Sequence, residues 1–95
     1  MLDDKQIVLG QLVTSIAGRD HGTGYLVVAI DSSSYIYVAN GRNHPIAKPK
    51  KKNIRHVKVL QSVATVLTKK LAEGETVTDE AVRQAIACFC EPDIL

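Results

Sequence analysis

Between residues 12 and 60, apolar residues return at every second position in short runs broken by glycine, serine or asparagine, a pattern that dictates strands joined by tight turns. In the first run, Leu12, Thr14 and Ile16 fall on one face and Val13, Ser15 and Ala17 on the other, and the run stops at Gly18. Residues 18–24 hold three glycines, a density that suits a kinked loop needing positive φ or close backbone approach. Residues 25–30 are apolar throughout and predict a central strand, residues 31–34 turn the chain, and residues 35–39 form a third strand. Asn40-Gly41 is a hairpin signal. Pro45 restricts residues 42–47 to an edge strand, residues 48–53 form a basic connection, and residues 54–60 alternate again. Five short strands with short turns predict a small barrel, with Leu12, Ile16, Val27, Ile36, Val38 and Val57 in its core.

The period changes near Gln61. Val63, Val66, Leu67 and Leu71 stand at helical spacing, with Lys69 and Lys70 near the C-terminal end and Gly74 as a stop, so a helix is expected over 61–72. Thr78 is an N-cap followed by Asp79 and Glu80. Ala81, Val82, Ala85, Ile86 and Phe89 then make an apolar stripe, which predicts a second helix over 78–90. Ninety-five residues suffice for one domain, read as a barrel over 1–60 with a helical extension over 61–95. The fold class is mainly β. With one Phe, three Tyr and no Trp, the core has to be built from Val, Ile, Leu and Ala.

Charge is segregated along the chain. Residues 1–31 set Lys5 and Arg19 against Asp3, Asp4, Asp20 and Asp31. Residues 32–72 carry Arg42, Lys48, Lys50, Lys51, Lys52, Arg55, Lys58, Lys69 and Lys70 and no acid, whereas 73–95 set Arg83 against six acids. Soluble surfaces normally intersperse both signs, so an acid-free middle points to a polyanionic partner. Seven of its cations lie within residues 42–58. Lysine neutralises phosphate as a point charge, while arginine also forks onto phosphate or stacks on a base. His44 and His56 can donate to phosphate or ribose, or stand at the edge of the core. Tyr25, Tyr35 and Tyr37, at strand positions, read as core or barrel-wall residues.

The glycine loop fits neither common nucleotide motif. A P-loop needs G-x-x-x-x-G-K-[ST] opening a helix, and a dinucleotide fingerprint needs G-x-G-x-x-G opening a helix, whereas a strand follows here. Asp20 and His21 are adjacent and cannot orient each other as a catalytic pair does, so they read as a turn aspartate and an exposed histidine. No nucleophile with a base is evident, and no enzyme activity or cofactor is expected. Cys88 and Cys90 are too few for a zinc site and too close together for a stabilising disulfide, and they read as free thiols. No run of about 18 apolar residues is present, and Asp3 and Asp4 stand where a secretory signal has its basic flank. A cytoplasmic location is expected.

The loop and its flanking strands, QLVTSIAGRDHGTGYLVVAID at residues 11–31, resemble the KOW motif, in which a strand, a glycine-marked loop and a second strand form part of an SH3-like barrel. IAGRDHG at 16–22, the Asn40-Gly41 turn and KKNIRH at 51–56 together resemble the fourteen-e large-subunit ribosomal proteins and their short bacterial KOW relatives. The similarity covers about residues 9–60, with Gly22 as the characteristic loop glycine. Many KOW sequences have a further glycine three residues on, where this chain has Tyr25. The resemblance implies an SH3-like five-stranded barrel that binds RNA, often ribosomal RNA. The expected RNA-binding residues are Arg19, His21 and Gly22 of the loop, together with Arg42, Lys48, Lys50, Lys51, Lys52, Arg55, His56 and Lys58. The side chains of Lys50, Lys51 and Lys52 are expected in solvent. The alternative is a protein-interaction module whose barrel or acidic C-terminal helices dock on a ribosomal or transcription protein.

Overall fold

A computed structural model describes residues 7–90, with side chains through residue 88. Five strands form one antiparallel sheet: β1 (Gln11–Ser15), β2 (Gly24–Ile30), β3 (Tyr35–Ala39), β4 (Lys50–Asn53) and β5 (Val57–Val63). Helices α1 (Thr65–Ala72) and α2 (Asp79–Cys90) follow. The strand order is β4-β3-β2-β1-β5, so β4 and β5, adjacent in sequence, lie at opposite edges.

That order forces curvature. In a flat sheet the two edge strands would be about 19 Å apart, four steps of about 4.8 Å. The chain from Asn53 to Val57 spans at most about 14 Å. A single 3-10 turn, Ile54–His56, makes the connection, and the sheet curls to let it. The Ile54 amide donates to the Ser34 carbonyl at 2.9 Å, and the Ile16 amide donates to the His56 carbonyl at 2.9 Å, so the turn is tied to both sides. Bulges supply the bend. Val28 is an extra residue between the pairs Val27↔Val38 and Ala29↔Tyr37. On the other side, Gln11–Val13 of β1 opposes the longer stretch Val59–Val63 of β5, and the Gln11 side-chain amide donates to the Leu60 carbonyl at 2.6 Å within it. The four pairings leave β4 and β5 unbonded to each other, so the sheet is open.

Both faces of the central strands are buried, which explains the unbroken apolar run of β2. Val13, Tyr25, Val27, Ile36, Val38 and Val57 pack inside the curl. Leu12 and Leu26, paired across the strands, face outward under the helices, where Ala64, Leu67, Val77, Val82 and Ile86 cover them. Burying a side chain of this size contributes about 1.5–3 kcal/mol. The Thr78 hydroxyl accepts from the Ala81 amide at 3.1 Å and caps α2 as its sequence predicts. The helices therefore lie against the outer face of β1 and β2. Phe89 and Cys90, singled out in the sequence, have side chains outside the described part.

Several sequence expectations are corrected. Residues 42–47 form no strand: the Asn40 carboxamide oxygen accepts from the Arg42 and His44 amides at 2.9 and 3.0 Å, and this side-chain bonding turns the chain back instead of extending it. The fourth strand is the basic segment itself. Residues 54–56 are the 3-10 turn, and β5 continues through Val63, so the boundary expected at residue 60 falls inside a strand and α1 starts at Thr65. Ile16 lies beyond the end of β1 and is 45% exposed, not part of the core.

Candidate nucleic-acid interface

The loop between β1 and β2 is organised by one carboxylate. Its backbone closes through the Gly22 amide, which donates to the Ser15 carbonyl at 2.7 Å, and the Thr23 amide, which donates to that of Asp20 at 2.9 Å. Gly22 has φ +91°, a left-handed conformation that favours glycine, with open space where a Cβ would stand. This geometry turns the Asp20 side chain back towards the sheet. Its Oδ1 accepts from the Ser15 hydroxyl at 2.8 Å and from Lys52 Nζ at 3.2 Å. Its Oδ2 accepts from the Tyr25 hydroxyl at 2.7 Å and from Lys50 Nζ at 3.4 Å.

Lys52 reaches this carboxylate because of strand register. Lys52 and Lys50 pair with Ile36 and Val38, which face the curl, so their stems run along the inner face. The Lys52 side chain is 8% exposed, and its ammonium also donates to the Ser15 hydroxyl at 3.0 Å. Lys50 remains 37% exposed beside the same aspartate. Burial alone would raise the Asp20 pKa, but hydrogen bonds from Tyr25, Ser15 and Lys52 and the Lys52 charge outweigh it and hold the carboxyl well below its ordinary range. Burial, then the bond to Asp20 and its negative charge, pushes the Tyr25 hydroxyl well above its ordinary range. Asp20 is thus a turn aspartate that serves as an internal counter-ion, and Lys52, contrary to expectation, is not in solvent.

Around this network lies an open concavity of about 620 Å³ lined by Arg19, Asp20, His44, Lys50, Lys52 and His56, among others. Arg19 comes from the loop, His44 from the turn after β3, Lys50 and Lys52 from β4, and His56 from the 3-10 turn. The His44 ring lies against Tyr25, with centroids 5.9 Å apart. Asp20, the one acid in this lining, is spent on its four donors. Arg19 has no ion-pair partner among the described residues.

The remaining predicted residues spread outward. His21 is exposed on the loop, and Gly22 and Arg42 line a smaller adjoining pocket. Lys48 is exposed in the turn before β4, and Arg55 in the 3-10 turn. Lys58 is exposed on β5 opposite Thr14. Lys51 alternates to the other face of β4, 3.6 Å from the Asp31 carboxylate and over the Tyr35 ring at 4.8 Å. The structure thus gathers Arg19, Lys50, Lys52 and His56 and leaves Lys51 and Lys58 apart. Sequence reasoning did not place His44 in the site, because residues 42–47 read as a strand and not a turn, and it did not give Asp20 its role, because that depends on the register of β4, which reads as a connection.

Among the described residues no group of three or more His, Cys, Asp or Glu is placed to hold a metal ion, and Cys88 is a free, exposed thiol. No helix there is long and apolar enough to cross a membrane. No family model matches the chain, and no curated protein matches it.

Proposed function

We propose that the chain is a non-catalytic RNA-binding module, a KOW-type SH3-like barrel that acts in the cytoplasm on ribosomal or other structured RNA. One observation carries this reading: cationic and histidine side chains from four separate stretches, Arg19, His44, Lys50 and His56, line one concavity whose only acid is internally neutralised. Such a surface suits phosphate, and an open shape suits a folded strand better than a small enclosed ligand. The strand order and the 3-10 turn between β4 and β5 support a barrel-like sheet, and the sequence resemblance supplies the RNA class.

A second reading, docking on a ribosomal or transcription protein, draws on Val66, which is 70% exposed beside an apolar groove between α1 and α2. Crosslinking in cells with sequencing of attached RNA, beside sedimentation against ribosomal subunits, separates the two. Enriched structured RNA that is lost in Arg19→Ala supports the first. Co-sedimentation without RNA crosslinks, unaffected by Arg19→Ala, supports the second. For purified protein, Arg19→Ala should weaken RNA binding by about 1–3 kcal/mol with little change in Tm, because its exposed side chain has no folded partner to lose.

A further inference from the structure

Beside the basic concavity, and sharing Thr23 with it, lies a second and smaller pocket of about 250 Å³. Its lining joins Gly22, Thr23 and Gly24 of the loop, Asn40 and Arg42 of the turn after β3, and Arg83, Ile86 and Ala87 of α2. Two arginines meet there and no acid does. This is unexpected on α2, where Arg83 is the only cation in an otherwise acidic stretch.

Both arginines are positioned by the fold. Arg83 donates from Nη1 to the Gly41 carbonyl at 2.6 Å, which fixes its guanidinium and leaves its other N–H donors unspent on any ion pair among the described residues. Arg42 is exposed, and its backbone is held by the Asn40 carboxamide, itself buried under the turn. The two acids nearest in sequence to Arg83 are engaged elsewhere: Glu80 accepts from the Gln84 side-chain amide at 3.3 Å, and Asp79 accepts from the Ile46 amide at 2.7 Å. A pocket below the range of about 300–1,000 Å³ typical of whole small-molecule sites suits a phosphate group with part of its ester better than a complete nucleotide.

We propose that Arg42 and Arg83 form a second phosphate site, continuous across Thr23 with the Arg19–Lys50–His56 concavity, so that an RNA strand crossing the 18–24 loop sets successive phosphates in the two pockets. The source of the phosphate rests on the RNA reading above, whereas the anion chemistry of the pocket does not. The site makes α2 part of the binding surface.

The test uses the full chain and two probes, inorganic pyrophosphate followed by amide NMR and fragmented ribosomal RNA followed by binding at several salt concentrations. Pyrophosphate should shift the amides of Gly22, Thr23 and Gly24, and Arg42→Gln should abolish the shift. The same variant should bind RNA about tenfold more weakly, a charge-assisted contact being lost, with the slope of log affinity against log salt reduced by about 1. Arg42→Gln is the decisive variant because Arg42 is exposed, while Arg83→Gln, which also gives up the Gly41 bond, should give the same losses with a lower Tm. Lys69→Gln, an equal charge change on α1, should leave both readouts at wild-type values. Pyrophosphate shifts without RNA binding would sustain the pocket and sink the RNA reading. Wild-type RNA affinity and slope in Arg42→Gln, or an equal loss in Lys69→Gln, would overturn the second site while leaving the first concavity standing.

Discussion

Of the three consecutive lysines in β4, one is structural, one is shared with the surface and one is peripheral, and substitution should separate them. Lys52→Ala removes a buried ammonium from Asp20 and Ser15 and leaves a space along the inner face, so it should destabilise the fold by about 2–4 kcal/mol in urea unfolding. Lys51→Ala loses an exposed pair with Asp31 and a contact with the Tyr35 ring, and should change stability by less than about 1 kcal/mol. Equal effects would mean that the inward register of Lys52 does not matter to folding. The Asp20 carboxyl also sets a pH dependence. Its folded pKa lies below its unfolded value, so its stabilisation is complete above about pH 4 and is lost as pH falls through the folded value. Tyr25 acts in the opposite sense: its raised pKa favours the fold below about pH 10, and that contribution is lost as the medium becomes more alkaline. Unfolding midpoints of the wild type should therefore fall below pH 4 more steeply than those of Asp20→Asn, which has no carboxylate to protonate. Parallel acid limbs would show that other acids govern the transition.

At the level of elements, α2 is expected to be part of the core and not an appendage. Val77, Val82 and Ile86 close the outer face over Leu12 and Leu26, and removing residues 73–95 would leave only Ala64 and Leu67 of their buried cover. That truncation should lose its cooperative thermal transition, and a sharp transition within a few degrees of the full chain would show that the inner core suffices. The elements legible in the sequence were those specified by local chemistry: the alternating runs that became β1, β2 and β3, the Thr78 cap, and the glycines marking the loop. β4 was missed because nothing local distinguishes Lys50-Lys51-Lys52-Asn53 from a solvated linker. Its strand character comes from pairing with Tyr35–Val38, and charged residues are well suited to a sheet edge, where they discourage pairing with other chains. The same limit applied to the site. The cations were visible as a cluster, but which of them face inward followed only from the register. Arg83 was hidden by the acidity of its stretch of sequence, because its approach to Gly41 and Arg42 comes only from the packing of α2 against the turn after β3.

For the whole molecule, the internal use of Lys52 and the placement of Lys51 reduce the charge available to a polyanion. If about four phosphates are neutralised, from among Arg19, Arg42, Lys48, Lys50 and Arg55, log affinity should fall against log salt with a slope near −2.8 for single strands and near −3.6 for duplex. A slope near zero would remove phosphate as the main contact. The strand order also governs how the molecule comes to be folded. β1 is made first, yet one of its two partners is β5, so Ser15 must wait for Val57 while β2–β3 and β3–β4 can pair as neighbours. Such distant pairing has to meet a loop-closure cost before it is rewarded, and folds dominated by it mature in milliseconds to seconds and not in microseconds. On a translating ribosome the first strand therefore emerges with one edge unpaired until the 3-10 turn and β5 have left the exit tunnel. The interval in which this chain is most open to wrong partners is set by the distance along the sequence between its first strand and its last.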